Sequence, residues 1–146
     1  MIVVDTGPIV AAAISNDRKH TACVRIFERL YRERRDLLVP SFVVGEACYM
    51  LARLGSAKVE ATFLRSLQQG GFTVVDLGPA DLERIAVLVE RYASLPLGAA
   101  DASVVTVAER LHIAEVFTLD VRDFSVVRPA HASALSIVTP DTTRRR

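Results

Sequence analysis

The sequence predicts an α/β domain built on a mainly parallel sheet. Short apolar runs rich in β-branched residues alternate with longer segments in which apolar residues recur every three or four positions. This alternation is typical of parallel strands joined by helices. The chain has 146 residues, of which 51% are hydrophobic and 24% charged. One domain of this size can bury a core without disulfides or structural metals.

Five short runs are predicted to form the strands. Apolar runs of this length, bounded by polar or turn residues, are typical of strands that are buried on both faces. The runs are residues 2–4, 37–39, 72–75, 116–119 and, with a weaker pattern, 135–138. We expect the third strand to lie at an edge of the sheet, so Asp76, which follows it, is placed outside any central site.

Helices are predicted in the segments between the strands. Apolar residues recur at steps of three and four over 23–31 and 82–92. Capping residues mark further boundaries: Ser41 is expected to cap a helix that ends near Leu54, and Gly55 is expected to close it. Other helix starts are expected at Ser56, Pro79 and Gly98.

Charge and cysteine content indicate no particular partner. The 18 Lys and Arg residues nearly balance the 17 Asp and Glu residues, so the total charge does not indicate a nucleic-acid binder. Cys23 and Cys48 lie in helical patterns without metal-ligand spacing, which is typical of reduced thiols in the cytosol. The longest apolar stretch, residues 8–14, is too short to cross a membrane, and no signal peptide is recognisable. We therefore expect a soluble cytoplasmic protein.

Four acidic residues lie where a solvated charge is not expected. Asp5 and Asp120 follow the first and fourth apolar runs, and Glu46 and Asp101 lie on the apolar faces of predicted helices. Burying a lone carboxylate is costly unless it is paired or protonated, and no Lys or Arg shares the helical face of Glu46 or Asp101. Ligands of open parallel sheets bind beyond the carboxyl ends of the strands. We therefore expect the four acids to converge on a hard divalent cation, Mg²⁺ or Mn²⁺.

Each acid also has an ordinary structural interpretation. Asp5 could belong to a turn, Asp101 to a helix cap, and Asp120 to the turn that Asp-Val-Arg-Asp would form. Nothing local would satisfy Glu46, so its structural interpretation is the weakest of the four. The glutamates that we interpret as solvated charges on polar helix faces are Glu28, Glu33, Glu60, Glu83, Glu90 and Glu109.

Three other chemistries are suggested by short motifs, and the surrounding sequence argues against each. Asp-Thr-Gly at 5–7 occurs in aspartic proteases, but their small dimeric form is all-β. Phosphotransferases and receiver-like domains need an Asp-X-Asp motif, or a paired acid and a late lysine, whereas every lysine here precedes residue 59. Cleavage by paired histidines is not expected either, because no ligand spacing relates His20, His112 and His131.

Three segments give the chain a family likeness. VVDTGPIVA (3–11), VPSFVVGEACYML (39–51) and LGAADASVVTVAERLHIAEVFTLDVRDF (97–124) carry the four acids. In order and spacing they resemble the PIN-domain ribonucleases, and within them the VapC-type toxins of toxin–antitoxin pairs. The resemblance implies a single three-layer, PIN-like domain over residues 1–141, with a sheet of strand order 3-2-1-4-5 flanked by helices. The basic residues 142–146 are expected to form a flexible tail.

The resemblance also implies an activity and partners. It implies a metal-dependent endoribonuclease that acts as a toxin, is inhibited by a helical antitoxin and forms a homodimer. The apolar helical hairpin predicted over 41–69 belongs either to the core or to the dimer interface. The alternative is a catalytically silent PIN scaffold that binds protein or RNA partners, which the presence of all four acids disfavours.

Roles for individual residues follow from the same resemblance. It implies a Mg²⁺ or Mn²⁺ site formed by Asp5, Glu46, Asp101 and Asp120. Thr6 and Thr118 match polar positions that we expect to orient carboxylates or a water molecule. Asp123 matches a less regular acid that either supports the site or fixes its loop. Cations that lie close to the acids in sequence, and are therefore candidates for guiding RNA, are Arg122 and Arg128.

Overall fold

Five strands and seven helices alternate along residues 1–140, the part of the chain that this computed structural model describes. They are β1 (Ile2–Val4), α1 (Thr6–Ala13), α2 (His20–Arg32), β2 (Leu37–Pro40), α3 (Ser41–Leu54), α4 (Ala57–Gln68), β3 (Thr73–Val75), α5 (Pro79–Arg91), α6 (Ala99–Leu111), β4 (Glu115–Phe117), α7 (Val121–Val126) and β5 (Ser136–Val138). The predicted domain end at 141 and the predicted tail over 142–146 lie outside the described residues.

The strands form one parallel sheet in the order β3-β2-β1-β4-β5. This confirms the predicted fold class and strand order, and it places β3 at an edge. All three residues of β1 are fully buried. Because successive strand residues point to opposite faces, helices must cover the sheet on both sides. The result is the three-layer arrangement, with β1 at its centre.

Most predicted helix boundaries agree with the structure, and one is wrong by a residue. Gly55 closes α3, and the Ser56 hydroxyl caps α4 by accepting from the Val59 backbone N–H. Ser41, however, is the first helical residue and makes no capping bond. Pro40 is the N-cap residue instead. Its backbone is extended (φ −60°, ψ 145°), which is the usual conformation of an N-cap, and the helical conformation begins at Ser41.

Two helices are not evident in the sequence pattern. Helix α1 buries most of its residues, so it lacks the polar face that makes a helical period visible. Helix α7 has only six residues, too few for a period to show. Strand β4 also ends at Phe117, two residues before the predicted end, so Asp120 begins α7 and does not directly follow the strand.

The prediction that Glu109 is a solvated surface charge is wrong. Its side chain is only 10% exposed and accepts two hydrogen bonds of 2.8 Å from Arg84 of α5. It also accepts from the Ala130 backbone N–H at 2.8 Å. Close by, Asp81 of α5 forms an ion pair with Arg110 of α6. These contacts fix α6, which carries Asp101, against α5.

No helix within residues 1–140 is long and apolar enough to span a bilayer.

Candidate active site

The four predicted acids line one cavity of about 380 Å³. Asp5 is the N-cap of α1, directly after β1, and Asp120 is the N-cap of α7, just beyond β4. Strands β1 and β4 are neighbours, so their carboxyl ends meet at the same edge of the sheet. Glu46 comes from the second turn of α3 and Asp101 from the first turn of α6. The structure therefore brings together side chains from four separate elements, as the sequence predicts.

Asp5 is the most buried of the four acids and is held at both carboxylate oxygens. It is 5% exposed. Its Oδ1 accepts from the Thr6 backbone N–H at 2.7 Å, and its Oδ2 accepts from the Thr118 hydroxyl at 2.7 Å. Thr118 is itself fully buried, and its Oγ1 accepts from the Asp120 backbone N–H at 3.0 Å. One hydroxyl thus links the acid after β1 to the acid after β4.

Thr6 orients the acid on α3. Its hydroxyl donates to Glu46 Oε2 at 2.7 Å. Glu46 therefore has its partner on α1, forty residues away in sequence, which is why local neighbours could not identify it. The two threonines expected to orient carboxylates, Thr6 and Thr118, each donate to one of the four acids.

Burial and mutual repulsion raise the pKa values of two of the acids. The pKa of Asp5 rises to about 6, mainly through burial, with added repulsion from Glu46 and Asp120 and with opposing hydrogen bonds from Thr118 and Thr6. The pKa of Asp101 rises to about 7, mainly through burial and through the charges of Asp5 and Glu46. No Lys or Arg of residues 1–140 forms an ion pair with any of the four acids. Within the described part of the chain, the cavity therefore gathers four carboxylates that no Lys or Arg side chain balances through an ion pair.

The donor set fits a hard divalent cation. All four groups are carboxylates, and oxygen ligands of this kind suit Mg²⁺ or Mn²⁺. Within residues 1–140, no three Asp, Glu, His or Cys side chains already stand in positions that would hold an ion. Holding an ion in this cavity would therefore require the carboxylate side chains to move closer together.

The lining of this cavity does not include the other predicted residues Asp123, Arg122 and Arg128. The Asp123 backbone N–H donates to Asp120 Oδ1 at 3.2 Å, which caps α7, and the Asp123 side chain is not part of the cavity lining. Arg122 and Arg128 are exposed and also lie outside the lining. Nη1 of Arg128 donates to the Ser125 carbonyl at 3.0 Å. The supporting role of Asp123 and the RNA-guiding role of the two arginines stay predictions.

Sequence reasoning missed the apolar part of the lining. Met50 and Leu119 line the cavity together with the acids. Their positions offered a signal, because Met50 lies one helical turn after Glu46 and Leu119 directly precedes Asp120.

A larger cavity, of about 500 Å³, contains none of the four acids. It is apolar and is lined mainly by α1, α2 and α4, with Phe27, Tyr31, Phe63 and Phe72 among its residues. The larger cavity is therefore not the candidate active site. The smaller cavity is the candidate because it contains the four carboxylates.

Residues 2–128 match the family model of the PIN domain. The chain belongs to the PIN-domain family. This confirms the membership that the three acid-bearing segments indicate. The PIN chain is also 28% identical over 137 residues to "Ribonuclease VapC26" of Mycobacterium tuberculosis, which covers 94% of this chain and 99% of that relative.

Solved structures share the PIN fold. VapC20 of Mycobacterium tuberculosis, described as a sarcin–ricin loop cleaving toxin, matches with a TM-score of 0.70 and 17% identity over 80% of this chain and 87% of its own. A toxin–antitoxin complex from Klebsiella pneumoniae matches with a TM-score of 0.62 and 19% identity over 96% and 98%. FitAcB from Neisseria gonorrhoeae matches with a TM-score of 0.57 and 19% identity over the same shares. At these identities the likeness concerns the fold.

The raised pKa values predict that the metal-free protein loses stability as pH rises from about 4 to 7. An unfolded Asp titrates near 3.8, so in this range the folded state holds more protons than the unfolded state. The free energy of unfolding therefore falls with rising pH. For Asp5 alone, a pKa raised from 3.8 to about 6 corresponds to at most about 3 kcal/mol.

Urea unfolding in EDTA between pH 4 and 8 measures this effect. Asp5→Asn removes one of the two titrating groups, so we expect a flatter profile and a higher free energy of unfolding at pH 8 than in the wild type. Asp36→Asn, which changes an exposed acid, is the matched control and should follow the wild-type profile. A profile for Asp5→Asn as steep as that of the wild type would contradict the assignment.

Proposed function

We propose that this protein is a divalent-metal-dependent endoribonuclease that acts as the toxin of a toxin–antitoxin pair. The observation that carries the proposal is the cavity in which four carboxylates from four separate elements meet, with no ion pair to any Lys or Arg of residues 1–140. Membership of the PIN family supports it. So do the relative named as a ribonuclease and the structural neighbours described as toxins.

The four acids would hold Mg²⁺ or Mn²⁺ against an RNA phosphodiester. In the proposal, Asp5, Asp101 and Asp120 are direct ligands, and Glu46 binds directly or through a water molecule. When bound, the ion lowers the pKa of a water molecule and neutralises charge on the phosphate oxygens. A carboxylate of the same set accepts the proton that the attacking water loses.

Thr118 and Thr6 hold the carboxylates in position for this work. Each hydroxyl donates to one carboxylate oxygen at 2.7 Å and so limits its rotation. Thr118 has the larger influence, because it is fully buried and contacts both Asp5 and Asp120. Replacing residues that orient metal ligands in this way typically lowers metal affinity or activity by about 10- to 100-fold.

The proposed partners are an antitoxin and a second copy of the chain, in the cytoplasm where the RNA substrate is found. The hairpin of α3 and α4 exposes several large apolar side chains, which are poorly suited to water. On α3, Phe42 is 38%, Tyr49 62% and Leu54 58% exposed, and on α4 Leu64 is 46% exposed. This surface is the proposed dimer interface.

RNA cleavage by the purified protein tests the activity. We expect cleavage of total RNA with Mg²⁺ or Mn²⁺, loss of cleavage with EDTA, and loss of at least about a hundredfold in Asp5→Asn, since one ligand is missing. Expression of the wild type, but not of Asp5→Asn, should arrest growth of the host, and the cognate antitoxin should restore it.

A metal-binding measurement separates the activity from the alternative of a silent scaffold. Mn²⁺ should raise the melting temperature of the wild type and not that of Asp5→Asn. Equal cleavage by wild type and Asp5→Asn would mean a contaminating nuclease. Absence of both cleavage and a Mn²⁺-dependent shift would favour the scaffold that only binds partners.

Thr118→Val is expected to weaken metal binding while the fold is retained. Valine fills nearly the same volume but leaves Asp5 Oδ2 and the Asp120 backbone N–H without their shared partner. Loss of such a contact typically reduces metal affinity or activity by about 10- to 100-fold. Thr118→Ser keeps the hydroxyl and should retain most of the activity. Isothermal titration with Mn²⁺ and cleavage rates measure both effects, and equal rates in the two variants would contradict the role.

Leu54→Lys is expected to convert a dimer into a monomer. A charge buried in an apolar interface is strongly unfavourable unless it is paired. Leu82→Lys is the control, because Leu82 is similarly exposed (45%) but lies on α5. Sedimentation velocity should give a dimer for the wild type and for Leu82→Lys. A wild type that sediments as a monomer would exclude the proposed interface.

A further inference from the structure

The acidic cavity has an apolar wall formed by Met50 and Leu119. Met50 lies on α3 one turn beyond Glu46, and Leu119 precedes Asp120. Both side chains are half-buried and pack against the hydrophobic core, so their outer surfaces have a firm support. The cavity therefore presents carboxylates and, beside them, a fixed apolar surface.

The proposed metal site does not account for this wall. Thioether and hydrocarbon side chains are poor ligands for Mg²⁺ or Mn²⁺. They also leave apolar surface in a cavity that is otherwise polar. In an RNA chain, the groups next to a phosphate are a ribose and a base, and every base has an apolar face that packs well on methionine or other apolar side chains.

The wall offers no free side-chain hydrogen-bonding group that could distinguish one base from another. The Thr6 side chain is the one hydroxyl among the described residues that line the cavity, and it already donates to Glu46. The remaining polar side chains of the lining are the carboxylates assigned to the metal. Contact at this wall therefore depends on the presence and shape of a base more than on its hydrogen-bonding edge.

We propose that Met50 and Leu119 form the seat of one unpaired nucleobase adjacent to the scissile phosphate. This proposal rests on the proposed ribonuclease function and names a substrate-positioning surface within the same site. A cavity of about 380 Å³ has room for one nucleoside. A base can lay its face on these side chains only when that face is not stacked on a neighbouring base, so the base that binds is expected to be unpaired.

Competition between two oligomers of equal charge tests the seat. A short oligodeoxythymidylate and an abasic oligomer of the same length each compete with a labelled RNA in Mn²⁺, and the initial rate of cleavage is measured. The charge on the two competitors is the same, so only the base differs. We expect the base-bearing oligomer to inhibit the wild type at about tenfold lower concentration, as expected for one stacking contact.

Substitutions in the wall should remove this preference. Met50→Ala and Leu119→Ala are expected to raise KM for RNA by about tenfold, with a smaller change in kcat, because the contact mainly holds the substrate. Met50→Leu keeps an apolar side chain and should retain the wild-type preference. The Mn²⁺-dependent rise in melting temperature should persist in all three variants, which verifies that the fold and the acids are intact.

Two results would contradict the proposed nucleobase site. One is equal inhibition of the wild type by both oligomers, and the other is an undiminished preference for the base-bearing oligomer in Met50→Ala and Leu119→Ala. Failure of the ribonuclease proposal has a different signature, because cleavage would then be the same in wild type and Asp5→Asn. Fluorescence anisotropy of the two labelled oligomers reports the base preference in either case, since it requires binding without cleavage.

Discussion

The carboxylate of Asp5, buried where β1 ends, is the constraint on which the site depends. Its position follows from a parallel sheet in which β1 lies between β2 and β4, so that the carboxyl end of β1 lies in the middle of the sheet edge, where Asp5 is only 5% exposed. A carboxylate there must be paired, hydrogen-bonded or protonated. Thr118 and the Thr6 backbone provide two hydrogen bonds, yet burial still raises the pKa to about 6. The negative charge of the ionised site is therefore destabilised, and a bound cation would stabilise it.

The sequence sufficed to predict the sheet and the convergence of the acids, because both follow from local patterns. Strands buried on both faces show as short apolar runs, and an acid directly after such a run lies at the carboxyl edge of the sheet. Glu46 and Asp101 stand out because apolar neighbours surround them at helical spacing. The strand order itself came from family likeness, since the pattern of a single chain does not specify which parallel strands pair.

The features that the sequence did not reveal depend on contacts between distant segments. Glu109 looks like a surface acid until α5 and the Ala130 backbone close around it. The partner of Glu46 lies on α1, and α1 itself has no visible period because it is buried along most of its length. The apolar wall of the cavity is equally hidden. Met50 looks like a core residue on its own helix, and only the folded chain brings it to the same cavity as Leu119.

The repulsion among the acids cannot be relieved by moving the backbone. Helix α6 is buried continuously from Ala102 to Ala108, and the contacts of Arg84 with Glu109 and of Arg110 with Asp81 fix it to α5. Asp101 therefore stays near Asp5 whether or not a cation is present. Only protonation, side-chain rotation or a bound cation can lower the electrostatic energy. A rigid scaffold around mutually repelling acids thus lowers stability at neutral pH, and a cation at the proposed metal site would relieve that cost.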